Sequence, residues 1–347
     1  MASQDYKSPT HNDFRSDTFT TPSPTIIQAA STCSLGDDDY YEDPDTNELG
    51  AYVAELSGKE SGLYCVSGVM SNQIGLRSLL YQPPYSILCD SRAHVYRYEG
   101  AGLSMLSNAM VYPVIPSNGL YMTLEDIKKH IVLSEEYYFA TTRVISLENT
   151  ISGVVVPIEE IARICAWAKT VGVKTHLDGA RLWNASAATG VSIKEYCQHF
   201  DTVSLCLSKG IGAPIGSVLV ADKETIKIGK RFRKQLGGNL RQAGVITSMA
   251  MVALKMNFPN ALKYTHEVAK EVAELCTKND IKLLYPTDTN FVWLDFSEQP
   301  EGTAQKFNEL GKKNGIRLSG NRIGIHYQIS KESVEALKRT ILELYQK

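Results

Sequence analysis

The chain has 347 residues, 43% of them hydrophobic and 21% charged, with a formal net charge of -2. That is enough apolar surface for a large domain plus a smaller one, with no general pull toward nucleic acid or an anionic membrane. Seven cysteines without metal-type spacing point to buried thiols in a reducing compartment, and no run reaches the ~18 apolar residues of a membrane span, so a cytoplasmic protein is expected.

In chain order, residues 1–45 are turn-rich (Thr21–Pro24, Gly36–Asp39) and open on a polar stretch without a leader-like apolar segment. They read as an arm that wraps another surface. Short apolar runs then predict strands over Leu63–Val66, Ser86–Cys89, Met110–Val114, Arg143–Leu147, Val173–Leu177, Thr202–Leu207 and Ser217–Val220. Amphipathic helices are expected between several of them. Thr123 suits an N-cap and Pro157 a first helical turn. This βαβα rhythm predicts an α/β fold with a mostly parallel sheet covered on both faces. The basic run Lys227–Lys234 reads as a helix face rather than a nucleic-acid patch. A helical pattern runs from Asn239 to Asn257, where Phe258-Pro259 breaks it. The rest reads helix, strand, strand, helix, strand, helix. The expected organisation is an arm (1–45), a large domain (46–257) and a small α+β domain (258–347).

Asp178 and Lys209 each stand at the carboxyl end of an expected buried strand, where both can face one cavity. An acid there can hold a pyridine nitrogen protonated, and a partly desolvated amine can form an imine with an aldehyde. Together they are what pyridoxal 5'-phosphate needs. Read alone, they are equally an ordinary strand-end acid and a surface lysine. Gly68, in Ser67–Asn72, turns into a helix whose free amides make a phosphate seat; such a glycine also occurs for steric reasons alone. His94 is placed to stack on a flat ring, or to be a structural histidine. Arg181 is in reach of a ring hydroxyl, or forms a surface salt bridge. Lys234 and Arg241 flank Gly237-Gly238 as phosphate-binding cations or a solvated face. Arg322 offers a planar fork for a substrate carboxylate.

Together the motifs Phe14–Thr18, Glu42–Pro44, Ala93-His94, Leu147–Thr150, His176–Arg181, Leu207–Lys209, Gly237–Gln242 and Arg322–His326 resemble the threonine aldolase family, nearest to its fungal-type members. The resemblance covers nearly the whole chain. It implies the aminotransferase-like fold of type I pyridoxal-phosphate enzymes, with a seven-stranded, mostly parallel sheet. Lys209 would be the imine lysine, Asp178 the pyridinium partner, His94 the ring-stacking histidine and Gly68 a phosphate ligand. Lys234 and Arg241 would reach in from a neighbouring subunit of a homodimer or homotetramer, and Ser16 and Arg322 would take the carboxylate of a small amino acid.

Three positions depart from the family. Val69 stands where a threonine hydroxyl is usual, Tyr41 where glycine leaves space, and Ile151 where a histidine is common. Losing an imidazole that would accept a β-hydroxyl proton, and gaining a phenol that would act as a second base or pocket wall, disfavours Cα–Cβ cleavage and suits Cα–H exchange. The expectation is therefore an alanine racemase, of which fungal relatives of the family are an example. The alternatives are a low-specificity L-threonine aldolase and a non-catalytic scaffold that binds the cofactor.

Overall fold

The computed structural model describes residues 6–346; the first five residues of the expected arm lie outside the described residues. Seven strands, β1 (Ser61–Cys65), β2 (Ser86–Asp90), β3 (Met110–Val114), β4 (Thr142–Glu148), β5 (Lys174–Asp178), β6 (Thr202–Cys206) and β7 (Ser217–Ala221), form one sheet in the order β1-β7-β6-β5-β4-β2-β3. The β3-β2-β4-β5-β6 pairs are parallel, while β7 runs antiparallel to both β1 and β6. Every residue of β2, β6 and β7 is buried, as a sheet covered on both faces requires. Each strand falls within two residues of its predicted stretch at either end.

The helix Gly68–Ser78 lies across β6 and β7. It sits close because Gly75 has no side chain: a Cβ there would stand 2.9 Å from Leu219 Cδ1 and 3.0 Å from His176 Cε1. Thr123 caps Leu124–His130 in a reciprocal box with Asp126. The basic run lies in the helix Lys223–Gln235, but Arg233 turns inward to pair with Asp38 at 2.7 Å.

Three local expectations need correction. Pro157 precedes the helix Ile158–Thr170 instead of sitting in its first turn. The helix expected from Asn239 begins at Gly244, because the acidic turn at Asp37–Asp39 captures the intervening loop: Asp38 N donates to Arg241 O at 2.8 Å and Arg241 Nη1 to Asp37 at 2.9 Å. The first strand expected after the helix Asn260–Lys278 is reduced to a bridge between Leu283 and Leu294, with Pro286 three residues on.

The C-terminal region packs its helices on a two-stranded sheet, β8 (Phe291–Trp293) against β9 (Arg322–Gly324). Its core includes Val272, Phe307, Ile323 and Leu337, and also Phe14 from the opposite end of the chain. Gly324 N donates to Phe14 O at 2.7 Å, so the start of the chain is strapped onto its own C-terminal region. That strap carries Ser16 and Asp17 to the carboxyl ends of the large sheet. All seven cysteines are free, six of them buried, as expected. Among the described residues no helix is long and apolar enough to cross a membrane.

Candidate active site

A cavity of about 880 Å³ opens between the large sheet and β8–β9. Ser16, His94, Glu148, Arg181, Lys209 and Arg322 line it, with Tyr98, Tyr285, Phe291 and Trp293 as its aromatic walls. Six residues of distant sequence converge because β4, β5 and β6 all end here and the N-terminal strap crosses them.

Asp178, the last residue of β5, is buried, and its carboxylate meets only amides: Asn72 Nδ2 at 2.9 Å and Ala180 N at 3.0 Å. No cation pairs with it among the described residues. Burying a carboxylate without a cation is costly, so the site favours a positively charged partner there. Beside it Asn72 also donates to Glu99 at 2.9 Å, and Glu99 takes His94 Nδ1 at 2.9 Å and Gln73 Nε2 at 2.6 Å. Hydrogen bonding to Glu99 holds His94 above the usual histidine range.

Glu148 ends β4 in register with Asp178 and accepts the backbone N–H of His94 at 2.8 Å. Burial, then the charge of Asp178, push its carboxyl up to about 7. Arg181 is largely enclosed, its side chain 13% exposed, and does not form a surface pair. Its Nε and Nη2 are committed to Asp17 at 2.8 and 2.6 Å, so less of its fork is left for a ring hydroxyl than expected. Burial alone would raise Asp17, but the guanidinium holds it down at about 2. Arg322 stacks on Phe291 and Trp293, at 5.0 and 5.8 Å, and donates to Arg15 O at 3.0 Å; its other N–H groups have no partner among the described residues. Ser16 is buried and caps the short turn Asp17–Phe19.

Gly68 and Val69 open the helix Gly68–Ser78, so their amides have no intrahelical acceptor. A Cβ built on Gly68 would lie 3.8 Å from Cys206 Sγ, at the end of β6 and three residues before Lys209. The residues present therefore fit pyridoxal phosphate: a helix start for the phosphate, an unpaired buried acid and a lysine in the cavity.

Tyr41, Lys234 and Arg241 are not brought to this cavity within one chain. Lys234 pairs with Asp39 and Arg241 with Asp37. Tyr41 is 61% exposed, and Lys230 Nζ donates to its hydroxyl at 2.8 Å. The expectation that Tyr41 is a second base or wall is thus corrected for the single chain. Its φ of 60° is a backbone reason for a glycine at that position. Ile151 is buried in the large core, and Ser152 lines the cavity instead.

Sequence reasoning gave no role to Asn72, Glu99, Glu148 or Asp17. Glu148 and Asp17 stood inside quoted motifs, where an acid at a strand end or beside a serine was the available signal. Glu99 carried only its spacing from His94.

Comparison with known proteins places these residues in context. Residues 13–299 match the family described as Beta-eliminating lyase. The low-specificity L-threonine aldolase of Eremothecium gossypii is 51% identical, over 96% of this chain and 88% of its own length. That of Saccharomyces cerevisiae is 50% identical, over 96% and 86%. Alanine racemase TOXG of Cochliobolus carbonum is 43% identical, over 94% and 85%. The threonine aldolase of Leishmania major superposes with a TM-score of 0.80 over 96% of this chain and 99% of that one, at 16% identity. The serine palmitoyltransferase of Sphingomonas wittichii does so at 0.76 over 97% and 90%, at 15% identity, which together extend the likeness to the fold of type I pyridoxal-phosphate enzymes.

Proposed function

The chain belongs to the Beta-eliminating lyase family of pyridoxal-phosphate enzymes, and on that footing we propose that it is a low-specificity L-threonine aldolase, cleaving threonine to glycine and acetaldehyde. The observation that carries this reading is identity: relatives named for that activity stand at 50–51%, the racemase at 43%. The preference for a racemase drawn from Val69, Tyr41 and Ile151 is given up. Ile151 is buried, and the amide of Val69 remains at the helix start whatever its side chain.

Pyridoxal phosphate, when bound, supplies the electron sink that lets a bond at Cα break. In our reading Lys209 anchors it, Asp178 keeps a proton on its ring nitrogen, His94 covers its face, and Gly68 and Val69 offer amides to its phosphate. Arg322, held on an aromatic bed and with donors to spare, binds the carboxylate of a small amino acid together with Ser16. Arg181 steadies the strap through Asp17 beside the ring. Lys234, Arg241 and Tyr41 reach a second copy's cavity, in a homodimer or homotetramer.

Purified enzyme loaded with the cofactor is expected to release acetaldehyde and glycine in equal amounts from L-threonine. D-alanine from L-alanine, with no acetaldehyde from threonine, reverses the choice in favour of the racemase.

A further inference from the structure

The cavity contains one imidazole among its described lining residues, that of His94, and its protonation can be worked out from its neighbours. His176 is held neutral by burial, which lowers it to about 4. Its Nδ1 lies 2.8 Å from Thr202 Oγ1 and its Nε2 3.1 Å from Asn72 Oδ1. Asn72 Nδ2 stands 2.9 Å from a carboxylate oxygen of both Asp178 and Glu99. Two carboxylates need two N–H donors, so the Asn72 amide faces them and its oxygen accepts from His176 Nε2. Glu99 is wholly enclosed by donors: Asn72 and His94 on Oε1, Gln73 on Oε2. Whatever meets it must carry the proton.

We propose that Glu99 is a positioning residue for cleavage: buried beneath His94, it accepts the proton at Nδ1 and so keeps Nε2 as a bare acceptor facing the cavity. This rests on the aldolase reading. The other charged groups facing His94 are Asp178 from β5, Glu148 from β4 and Lys209 from the turn after β6. None of them meets Nδ1 within hydrogen-bond distance; Glu99 does.

In the step this serves, the β-hydroxyl proton passes to His94 Nε2 and the oxygen forms the aldehyde C=O. The Cα–Cβ bond breaks with its electron pair left on the Cα side, and a proton returned to Cα gives glycine. Proton transfer to an imidazole with a fixed tautomer needs no ring flip, and the Glu99 carboxylate stabilises the cation that results.

Two measurements test the inference. In cofactor-loaded enzyme with ¹⁵N-labelled histidines, assigned with a His94→Asn variant, neutral His94 is expected as the Nδ1–H tautomer; finding Nε2–H overturns the proposal. In Glu99→Gln the imidazole should titrate lower, carrying the acid limb of kcat/KM for L-threonine down with it. Threonine cleavage should fall about 10–100-fold, whereas Cα–H exchange of glycine, which involves no β-hydroxyl, falls at least tenfold less. Equal losses, or an unmoved limb, overturn it. If that variant does not fold, the wild-type tautomer decides. Absence of threonine cleavage by the wild-type enzyme overturns the aldolase reading, and finding Nδ1–H then leaves the tautomer assignment standing.

Discussion

Arg322 is a cation held in a hydrophobic setting with one N–H group tied to Arg15 O and the others unpaired among the described residues. Burial lowers its pKa from the usual arginine value, which reflects how much a carboxylate partner is wanted there. Losing a charge-assisted bond costs about 1.5–3 kcal/mol, so Arg322→Ala should raise KM for L-threonine about 10–100-fold with a smaller change in kcat. Steady-state kinetics check this, and an unchanged KM would remove Arg322 from the carboxylate site. At this scale the sequence was legible where a residue's chemistry is singular: Lys209, Asp178, His94 and Arg322 were all nominated from type and position, and Lys209, His94 and Arg322 line one cavity with Asp178 beside it. Glu99 was not legible, because what makes it matter is convergence. Its partners Asn72 and Gln73 lie on the helix Gly68–Ser78 and His94 opens the short helix His94–Arg97, and only the fold brings them within 3 Å of it.

Elements were read best where burial dictates sequence. β6 and β7 are buried at every position and rich in β-branched or aliphatic residues, so their limits were almost those predicted. Asn239–Ala243 was misread as helix because its conformation is decided by Asp37–Asp39, about two hundred residues earlier in the chain. The contact between the helix Gly68–Ser78 and the sheet gives a test at this scale. Ala at position 75 favours the helix by about 1 kcal/mol over glycine. Its methyl, however, would press on Leu219 and on His176, which cannot move away without breaking its bonds to Thr202 and Asn72. Overpacking of this kind costs about 1–3 kcal/mol. Gly75→Ala should therefore lose up to about 2 kcal/mol in urea unfolding, and a variant more stable than wild type would show that the helix is free to shift.

For the molecule as a whole, buried histidines link stability to pH. Burial lowers both His176 and His266 to about 4. A depressed histidine binds protons more readily unfolded than folded, so its contribution is intact above the unfolded value of 6.5 and is lost as pH falls toward 4. Between pH 7 and 5 that is about 2 kcal/mol for each. Glu148, raised to about 7, works in the opposite sense over the same window, so the net change is smaller than the histidines alone would give. His266 lies apart from the site, bonded to Asn184 at 3.0 Å, which makes it separable. His266→Gln should thus flatten the pH 7-to-5 loss of apo-enzyme stability by about 2 kcal/mol; parallel curves would contradict the shift.

In the proposed enzyme one lysine, in the turn after β6, holds the cofactor against the buried acid at the end of β5. Borohydride reduction of the cofactor-loaded enzyme, followed by digestion and mass spectrometry, addresses it directly. The phosphopyridoxyl group is predicted on Lys209. An unmodified Lys209 with the label on another lysine, or with no label at all, would contradict the account.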